Sequence, residues 1–296
     1  INCYNGERYL DATLDSVLSQ TYTNWEVIFI DNCSNDKTEQ IIKSKIKNLK
    51  YFKTKKQLNL GAARNFGVKQ CGKYFAVLDA DDIWMPNCLQ RLYEAINSGD
   101  FSLAYGNQIL INKNGNEIGR ISNLYMGKRG DFFNKLLMQF DIPLVCTLVD
   151  KEKMFEMNLN FDENIFGSEE YCLFIQMALK SNFIAVCDFL VKYRVHESLT
   201  TKLNDKIYKE RIYTLEKVIK ENPGVEKKYK RGFREAFARG VYYKVQYLVR
   251  SKQKFVALNE MKNIMFLNLR YFLLGLILVF PGYGLWNFFQ RIKYNR

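Results

Sequence analysis

Apolar and polar positions fall into blocks along the first eighty residues, and the period changes from block to block. Between Glu7 and Gln20, Leu10, Leu14, Val17 and Leu18 recur at helical spacing, and Thr21-Tyr-Thr-Asn24 ends the pattern. Trp25-Glu-Val-Ile-Phe-Ile-Asp31 is then an apolar strand running into the turn Asp31-Asn-Cys-Ser-Asn-Asp36. A helix from about Lys37 to Lys45, a short strand near Tyr51 and a helix opened by Gly61-Ala-Ala-Arg-Asn-Phe-Gly-Val68 follow. Tyr74 to Leu78 is a short apolar run of the kind expected in a fully buried strand, and it stops abruptly at Asp79, Asp81 and Asp82. This alternation of strand and helix predicts an α/β fold with a doubly wound, mostly parallel sheet and flanking helices. Right-handed crossovers would bring Tyr4, Asp31 and Asp79 to one edge, at the carboxyl ends of the strands, where open α/β sheets bind ligands.

Beyond Pro86 the pattern loosens. Asn87 to Asn97 reads as a helix, Leu103 to Ile118 as a hairpin closed by Asn112-Lys-Asn-Gly115, and Asp131 to Met138 as a short amphipathic segment. Cys146 to Val149 and Phe183 to Leu190 read as strands, and Ser168 to Ala178 as a helix beginning with Glu169 and Glu170. From Leu203 the chain is mostly helical. The expected division is a body over 1–200 and a helical region over 201–296.

Charge sharpens that division. The formal net charge of +13 resides entirely in the last third: residues 1–200 carry 23 Lys/Arg against 24 Asp/Glu, and residues 201–296 carry 21 against 7. The same third holds the most apolar run, Tyr271 to Gln290, which has no charged residue and is broken by Pro281, Gly282 and Gly284. Basic residues beside an apolar segment, about 265–290, predict attachment to an anionic membrane surface in a monotopic or re-entrant manner. No zinc-finger, basic-zipper or RNA-recognition signature is present, so nucleic acid is not the expected partner. Seven cysteines are scattered singly with no Cys-x-x-Cys pair, which argues against a disulfide framework or a usual zinc site and for a reduced, cytosolic setting. Ile1-Asn-Cys-Tyr4 reads as the end of a strand whose start would precede residue 1.

Three carboxylates at one strand end repel one another, and oxygen ligands favour Mn²⁺ or Mg²⁺ together with phosphate. The alternative is a polar turn in which Asp82 caps the next helix. A single histidine, His196, restricts any Ser-His or Cys-His scheme to that residue.

Seven blocks occur in order: Tyr4-Asn-Gly-Glu-Arg-Tyr-Leu10, Ser19-Gln-Thr-Tyr22, Asp31 to Thr38, Gly61-Ala-Ala-Arg-Asn65, Leu78-Asp-Ala-Asp-Asp82, Glu169-Glu170 and Tyr193-Arg-Val-His196. In this set, over roughly 1–200, the chain resembles a bacterial glycosyltransferase of family 2 with the GT-A type of fold. The resemblance implies an inverting, metal-dependent transfer from a nucleotide-diphosphate sugar, expected to be a UDP-sugar, to a glycan or lipid-linked acceptor in surface polysaccharide synthesis. The expected location is the cytoplasmic face of the inner membrane. It implies that Tyr4 borders the base, that Glu7 orders the first loop, and that Asp31 and Asn32 face the base, Asn32 standing where a second Asp is usual. Gly61 and Arg64 would meet the diphosphate, with pairing to Asp79 the alternative for Arg64. Asp79 would hold the ribose or metal-bound water, Ala80 would line the nucleotide-sugar site, Asp81 would bind the metal with Asp79, and Asp82 would join the metal shell or cap a helix. His196 would touch the diphosphate or the metal, supported by Arg194 and Ser198. Glu170 would be the base and Glu169 would orient it or bind acceptor. Glu170 where Asp is commoner, Cys172 where a further Asp is frequent, and Asn32 are departures. They would support a rival reading, an inactive membrane-associated scaffold that binds nucleotide-sugar or glycan. A nucleotidyltransferase is disfavoured, because Asn5-Gly-Glu7 is too short and too acidic for its phosphate loop.

Overall fold

The computed structural model describes residues 1–47, 49–196 and 204–279. In chain order the first body runs β1 (Asn2–Cys3), α1 (Leu10–Leu18), β2 (Val27–Asp31), α2 (Thr38–Lys45), β3 (Leu49–Lys53) and α3 (Leu60–Gln70). It continues β4 (Tyr74–Phe75), β5 (Ile83–Trp84), α4 (Cys88–Ile96), β6 (Leu103–Ile111), β7 (Glu117–Ile121) and β8 (Arg129–Gly130). After α5 (Phe133–Met138) come β9 (Thr147–Asp150), α6 (Lys151–Glu156), α7 (Glu169–Lys180) and β10 (Phe183–Arg194).

β1, β2 and β3 are parallel, in spatial order β1-β2-β3, as expected of strands separated by crossover helices. β2 has all five residues buried, which accounts for its continuous apolar run. The expectation of a mostly parallel sheet holds for this half only. The second sheet, ordered β4-β9-β6-β10-β5 with β7 and β8 at its sides, is mixed: β6 and β10 are parallel and its other pairs are antiparallel. Its reversals have local causes. Gly115, at φ +87°, lets the chain turn from β6 back along β7. The 74–78 run is hydrogen-bonded as a strand only at its start, against β9, and Asp79 at its end bridges Asn2. The acid turn therefore stands where the two sheets meet.

The core is apolar and shared by both sheets, with Leu10, Leu14, Phe29, Leu78, Trp84 and Leu92 among its members. A cavity of about 630 Å³ lies between β2 and the 74–78 run, lined by Ile1, Val27, Ile28, Val68, Ala76 and Trp84 among others. Asn2, Arg64 and Leu78 also line it, so it reaches the residues next to Asp79, while Asp81, Glu169 and His196 do not line it.

Residues Phe133–Phe140 do not belong to the first body. They group with the carboxyl-terminal helices, a correction to the expected undivided 1–200 body. Phe133 explains this locally: it is fully buried and its ring meets those of Tyr229 and Phe233. The second unit further comprises α8 (Asn204–Glu221), α9 (Val225–Lys228), α10 (Lys230–Arg250), α11 (Lys254–Leu267) and α12 (Leu269–Val279). Tyr242, Val245, Leu248, Met261, Ile264 and Leu278 form its core. Among the described residues no helix is long and apolar enough to cross a membrane. Residues 280–290 of the expected membrane segment lie outside the described residues.

Asp141, in the first body, accepts the Leu124 N–H at 2.5 Å, and its other oxygen is buried without a hydrogen-bond partner. Burial pushes this carboxyl up to about 6. The folded protein thus holds the proton more tightly than the unfolded chain, and the cost of ionising Asp141 is present above pH 6 and relieved as pH falls towards 4. Asp141→Asn is expected to stabilise the protein at pH 7 to 8 by on the order of 1–2 kcal/mol, with the difference vanishing near pH 4. Urea denaturation across that range measures it.

Candidate active site at the acid turn

The loop after β1 is zipped to the loop after β2. Asn5 N–H donates to Ser34 Oγ, Gly6 N–H to Thr38 Oγ1 and Glu7 N–H to Asp36 Oδ2, while Lys37 N–H donates to Glu7 Oε2. Glu7 thus orders the loop through its carboxylate, and Asp36 accepts the Thr38 N–H at the start of α2. Tyr4 is left outside this zipper, 42% exposed at the end of β1.

Asp31 and Asn32 are turned inward. Asp31 accepts the Tyr51 hydroxyl at 2.6 Å and the Ser34 N–H at 2.7 Å and is fully buried. The Asn32 amide forms a two-way clasp on Leu58, giving Nδ2–H to its carbonyl and taking its N–H, both at 2.8 Å, and it also accepts from Thr54. In this structure the amide predicted to face a base is used to hold the segment leading into α3. Gly61 likewise lies against protein: a methyl there would stand 2.9 Å from Asp162 O, so the close approach it permits is to the 161–163 loop. Asn65 secures that loop by giving Nδ2–H to Phe161 O and accepting Phe161 N–H.

The acid turn is held from two sides. From α1, Thr13 Oγ1 donates to Asp82 O, Ser16 Oγ accepts from Trp84 N–H, and Gln20 donates to Met85 O and accepts from Leu89 N–H. The end of β10 supplies Arg194, whose backbone N–H donates to Asp82 Oδ1 at 2.7 Å and whose Nε–H donates to Asp81 O at 2.8 Å. Its guanidinium also donates to Asn112 O and lies 4.4 Å from the Tyr9 ring centroid. Arg194 is therefore a buried clasp on the turn. Asp82 is 1% exposed, its Oδ2 is buried with no hydrogen-bond partner, and it lies outside α4, whose first residue is Cys88, so it does not cap that helix.

Asp79, Ala80 and Asp81 remain partly exposed on the turn. His196 Nε2 is 2.7 Å from Asp81 Oδ2, and the His196 ring lies 5.4 Å from that of Tyr9. Burial, and then the neighbouring charge of Asp79, raise the Asp81 carboxyl above its usual range, against the pull of His196. Asp82 is raised much further, by burial first and then by both neighbouring acids. Among the described residues no three His, Cys, Asp or Glu side chains are grouped to cage a metal. What the turn offers is a raised, repelling carboxylate pair beside one imidazole. That donor set fits a hard divalent cation held by one or two carboxylates and completed by substrate phosphate and water.

Arg64, on α3, is 6% exposed at its side chain and pairs with Asp79 at 3.2 Å. Its other terminal nitrogen pairs with Glu169, whose side chain is 2% exposed. Glu169 and Glu170 are thereby distinguished: Glu169 is an enclosed partner of Arg64, and Glu170 is partly exposed. The Tyr193 phenol is raised by burial first and then by the surrounding acids Asp82, Asp79, Asp81 and Glu170. Ser198 lies outside the described residues.

Asp79, Ala80, Asp81, Arg64, Glu169, Arg194 and His196 come together by direct contact or as neighbours on the turn; Asp31, Asn32 and Gly61 are engaged in packing away from it. Residues the sequence reading left without a role, Tyr9, Thr13, Gln20 and Asn65, turn out to hold the turn and α3. Gln20 carried the clearest signal, as a buried amide in Ser19-Gln-Thr-Tyr22, and Thr21 N–H donates to Pro86 O at 2.8 Å from the same block.

Ordered motifs, a parallel first half and an acidic strand end tied through Arg64 to Glu169 are the features a family 2 glycosyltransferase would present. The glycosyl transferase family 2 model matches residues 1–160 of the 296, and the chain belongs to that family. Among its relatives is the Escherichia coli UDP-Glc:alpha-D-GlcNAc-diphosphoundecaprenol beta-1,3-glucosyltransferase WfgD, 29% identical over 199 residues, covering 66% of this chain and 75% of that protein. An uncharacterized glycosyltransferase of Rickettsia typhi is 31% identical over 211 residues, covering 68% and 64%. The crystal structure of S. aureus TarS with UDP superposes with a TM-score of 0.63 at 18% identity, over 80% of this chain and 69% of that one. TarS with UDP-GlcNAc gives 0.63 at 15% identity, over 82% and 79%. These structures establish the GT-A-like fold.

If Asn32 holds the 54–58 segment, Asn32→Ala strands the Leu58 N–H and C=O. The expected cost is roughly 2–3 kcal/mol of unfolding free energy, with the preference between UDP and CDP unchanged. Denaturation and competitive nucleotide binding measure the two separately.

Proposed function

We propose that the protein is an inverting glycosyltransferase that moves a sugar from a UDP-sugar to a hydroxyl of a glycan or lipid-linked acceptor in surface polysaccharide synthesis. The observation that carries the reading is that Arg64 pairs with both Asp79 at the strand end and Glu169, which ties the acid turn to the first turn of α7, where Glu170 stands partly exposed. WfgD's lipid-linked acceptor and the UDP and UDP-GlcNAc complexes of TarS support the acceptor and donor classes. In the proposed reaction the acceptor oxygen attacks the anomeric carbon, its proton passes to Glu170, and the bond to the diphosphate oxygen breaks as UDP departs. One displacement inverts the configuration. Asp81, with Asp79 and His196, would hold a Mn²⁺ or Mg²⁺ ion, which supplies charge neutralisation for the leaving diphosphate. Tyr4, exposed beside the turn, borders the base.

We further place the protein at the cytoplasmic face of a bacterial inner membrane through its second unit. Leu269, Leu273 and Ile277 repeat every four residues along α12 and are 63%, 51% and 39% exposed, a one-sided apolar stripe on a unit rich in Lys and Arg.

Glu170→Gln is expected to retain UDP binding by calorimetry and to lose transfer by roughly 100-fold or more, while Asp81→Ala abolishes the dependence of UDP binding on Mn²⁺. Full transfer by Glu170→Gln would move the base elsewhere; metal-independent binding in the unaltered chain would remove the metal role. Leu273→Glu should reduce co-sedimentation with phosphatidylglycerol vesicles and leave UDP binding intact. Equal sedimentation would sink the membrane role of the stripe.

A further inference from the structure

Arg64 is buried, 7% exposed, with one side lining the cavity behind β2. Its helix begins with Asn59, whose side chain accepts the Ala62 N–H, and Asn65, one residue beyond Arg64, clasps the backbone of Phe161. The Phe161 ring lies 5.9 Å from the guanidinium. The two terminal nitrogens then reach two carboxylates from different parts of the chain: Asp79 on the acid turn and Glu169 in the first turn of α7. Lysine could not span this arrangement, because a point charge on a flexible stem lacks the planar fork that addresses two acids at once.

We propose that Arg64 and Glu169 form a strut that couples the acid turn to the helix carrying Glu170, and that Glu169 is a positioning residue with no proton to take. This rests on the donor-site reading above. Glu169 Oε1 is spent on Arg64, and its Oε2 is buried with no hydrogen-bond partner, so neither oxygen is presented to an acceptor. Asp79, at 36% side-chain exposure, is the open end of the strut. As long as the guanidinium charge is shared, Asp79 keeps enough negative charge to serve the donor and its cation. Neutralising Glu169 leaves that charge wholly to Asp79, drawing it inward and quenching it. The donor end then responds to a residue it never touches.

The test is calorimetric titration of UDP in the presence of Mn²⁺ with the full chain, together with urea denaturation. Glu169→Gln should weaken UDP binding roughly fivefold or more under conditions where its denaturation curve shows the variant fully folded. Arg64→Gln combined with Glu169→Gln should lose no more than roughly threefold beyond the worse single variant, because the pair acts as a unit. Glu169→Asp, which keeps the charge but is shorter by one methylene, should fall between wild type and Glu169→Gln; it also serves if Glu169→Gln does not fold. Unchanged UDP affinity in Glu169→Gln overturns the strut, and if transfer is lost at the same time, Glu169 is the base instead. A loss of affinity that tracks a loss of stability and adds to that of Arg64→Gln overturns it as well. Absence of UDP binding by the unaltered chain overturns the reading of the site, and the strut with it.

Discussion

Like charges brought together at the end of a sheet must each be held, and the distribution of partners among them organises this protein. Asp79 takes Arg64, Asp81 takes His196, Asp82 takes the backbone of Arg194, and Glu169 takes the far side of Arg64. The partners come from two places far apart in sequence: α3 supplies Arg64, and the end of β10 and the residues just after it supply Arg194 and His196. The two sheets are thus drawn together at the point where Asn2 bridges Asp79. Burial of charge is tolerated only with such partners, which is why Arg64 and Arg194 are nearly inaccessible and yet charged.

The division of labour among residues of one motif follows from the same accounting. In Leu78-Asp-Ala-Asp-Asp82 the exposed members are those able to meet a ligand, and the buried one fixes the turn. In Glu169-Glu170 the neighbour that packs inward against Arg64 leaves the other facing out, as a helix requires of adjacent positions.

The parallel first half was legible because each element there is short, apolar and punctuated: β2 reads directly from Val27-Ile-Phe-Ile-Asp31, and α1 from its leucines. In the second half the hairpin closed at Gly115 and the strands near β9 and β10 were legible, but their pairing was not, because β6, β9 and β10 are equally apolar whichever way they run. The acid turn was legible as a turn at a strand end from three carboxylates after a buried run. The roles of Asn32 and Gly61 were not: a two-way amide clasp and a contact with Asp162 depend on segments far along the chain, which local spacing cannot reveal. The Arg64 contact with Asp79 was one of two readings available from charge alone; its contact with Glu169 depended on folding a helix more than a hundred residues away.

The clasp of Asn65 on Phe161 spans 96 positions of the chain. Closing so long a loop costs entropy before any contact rewards it, so this end of the fold forms late. On a ribosome, α3 emerges and waits while β6, β9 and the segment before α7 are made. Until Phe161 and Glu169 are made, Arg64 has Asp79 alone, and the arrangement of charges around it is incomplete. Timing is therefore built into the architecture: the Arg64 cluster is among the last parts of the first body to close.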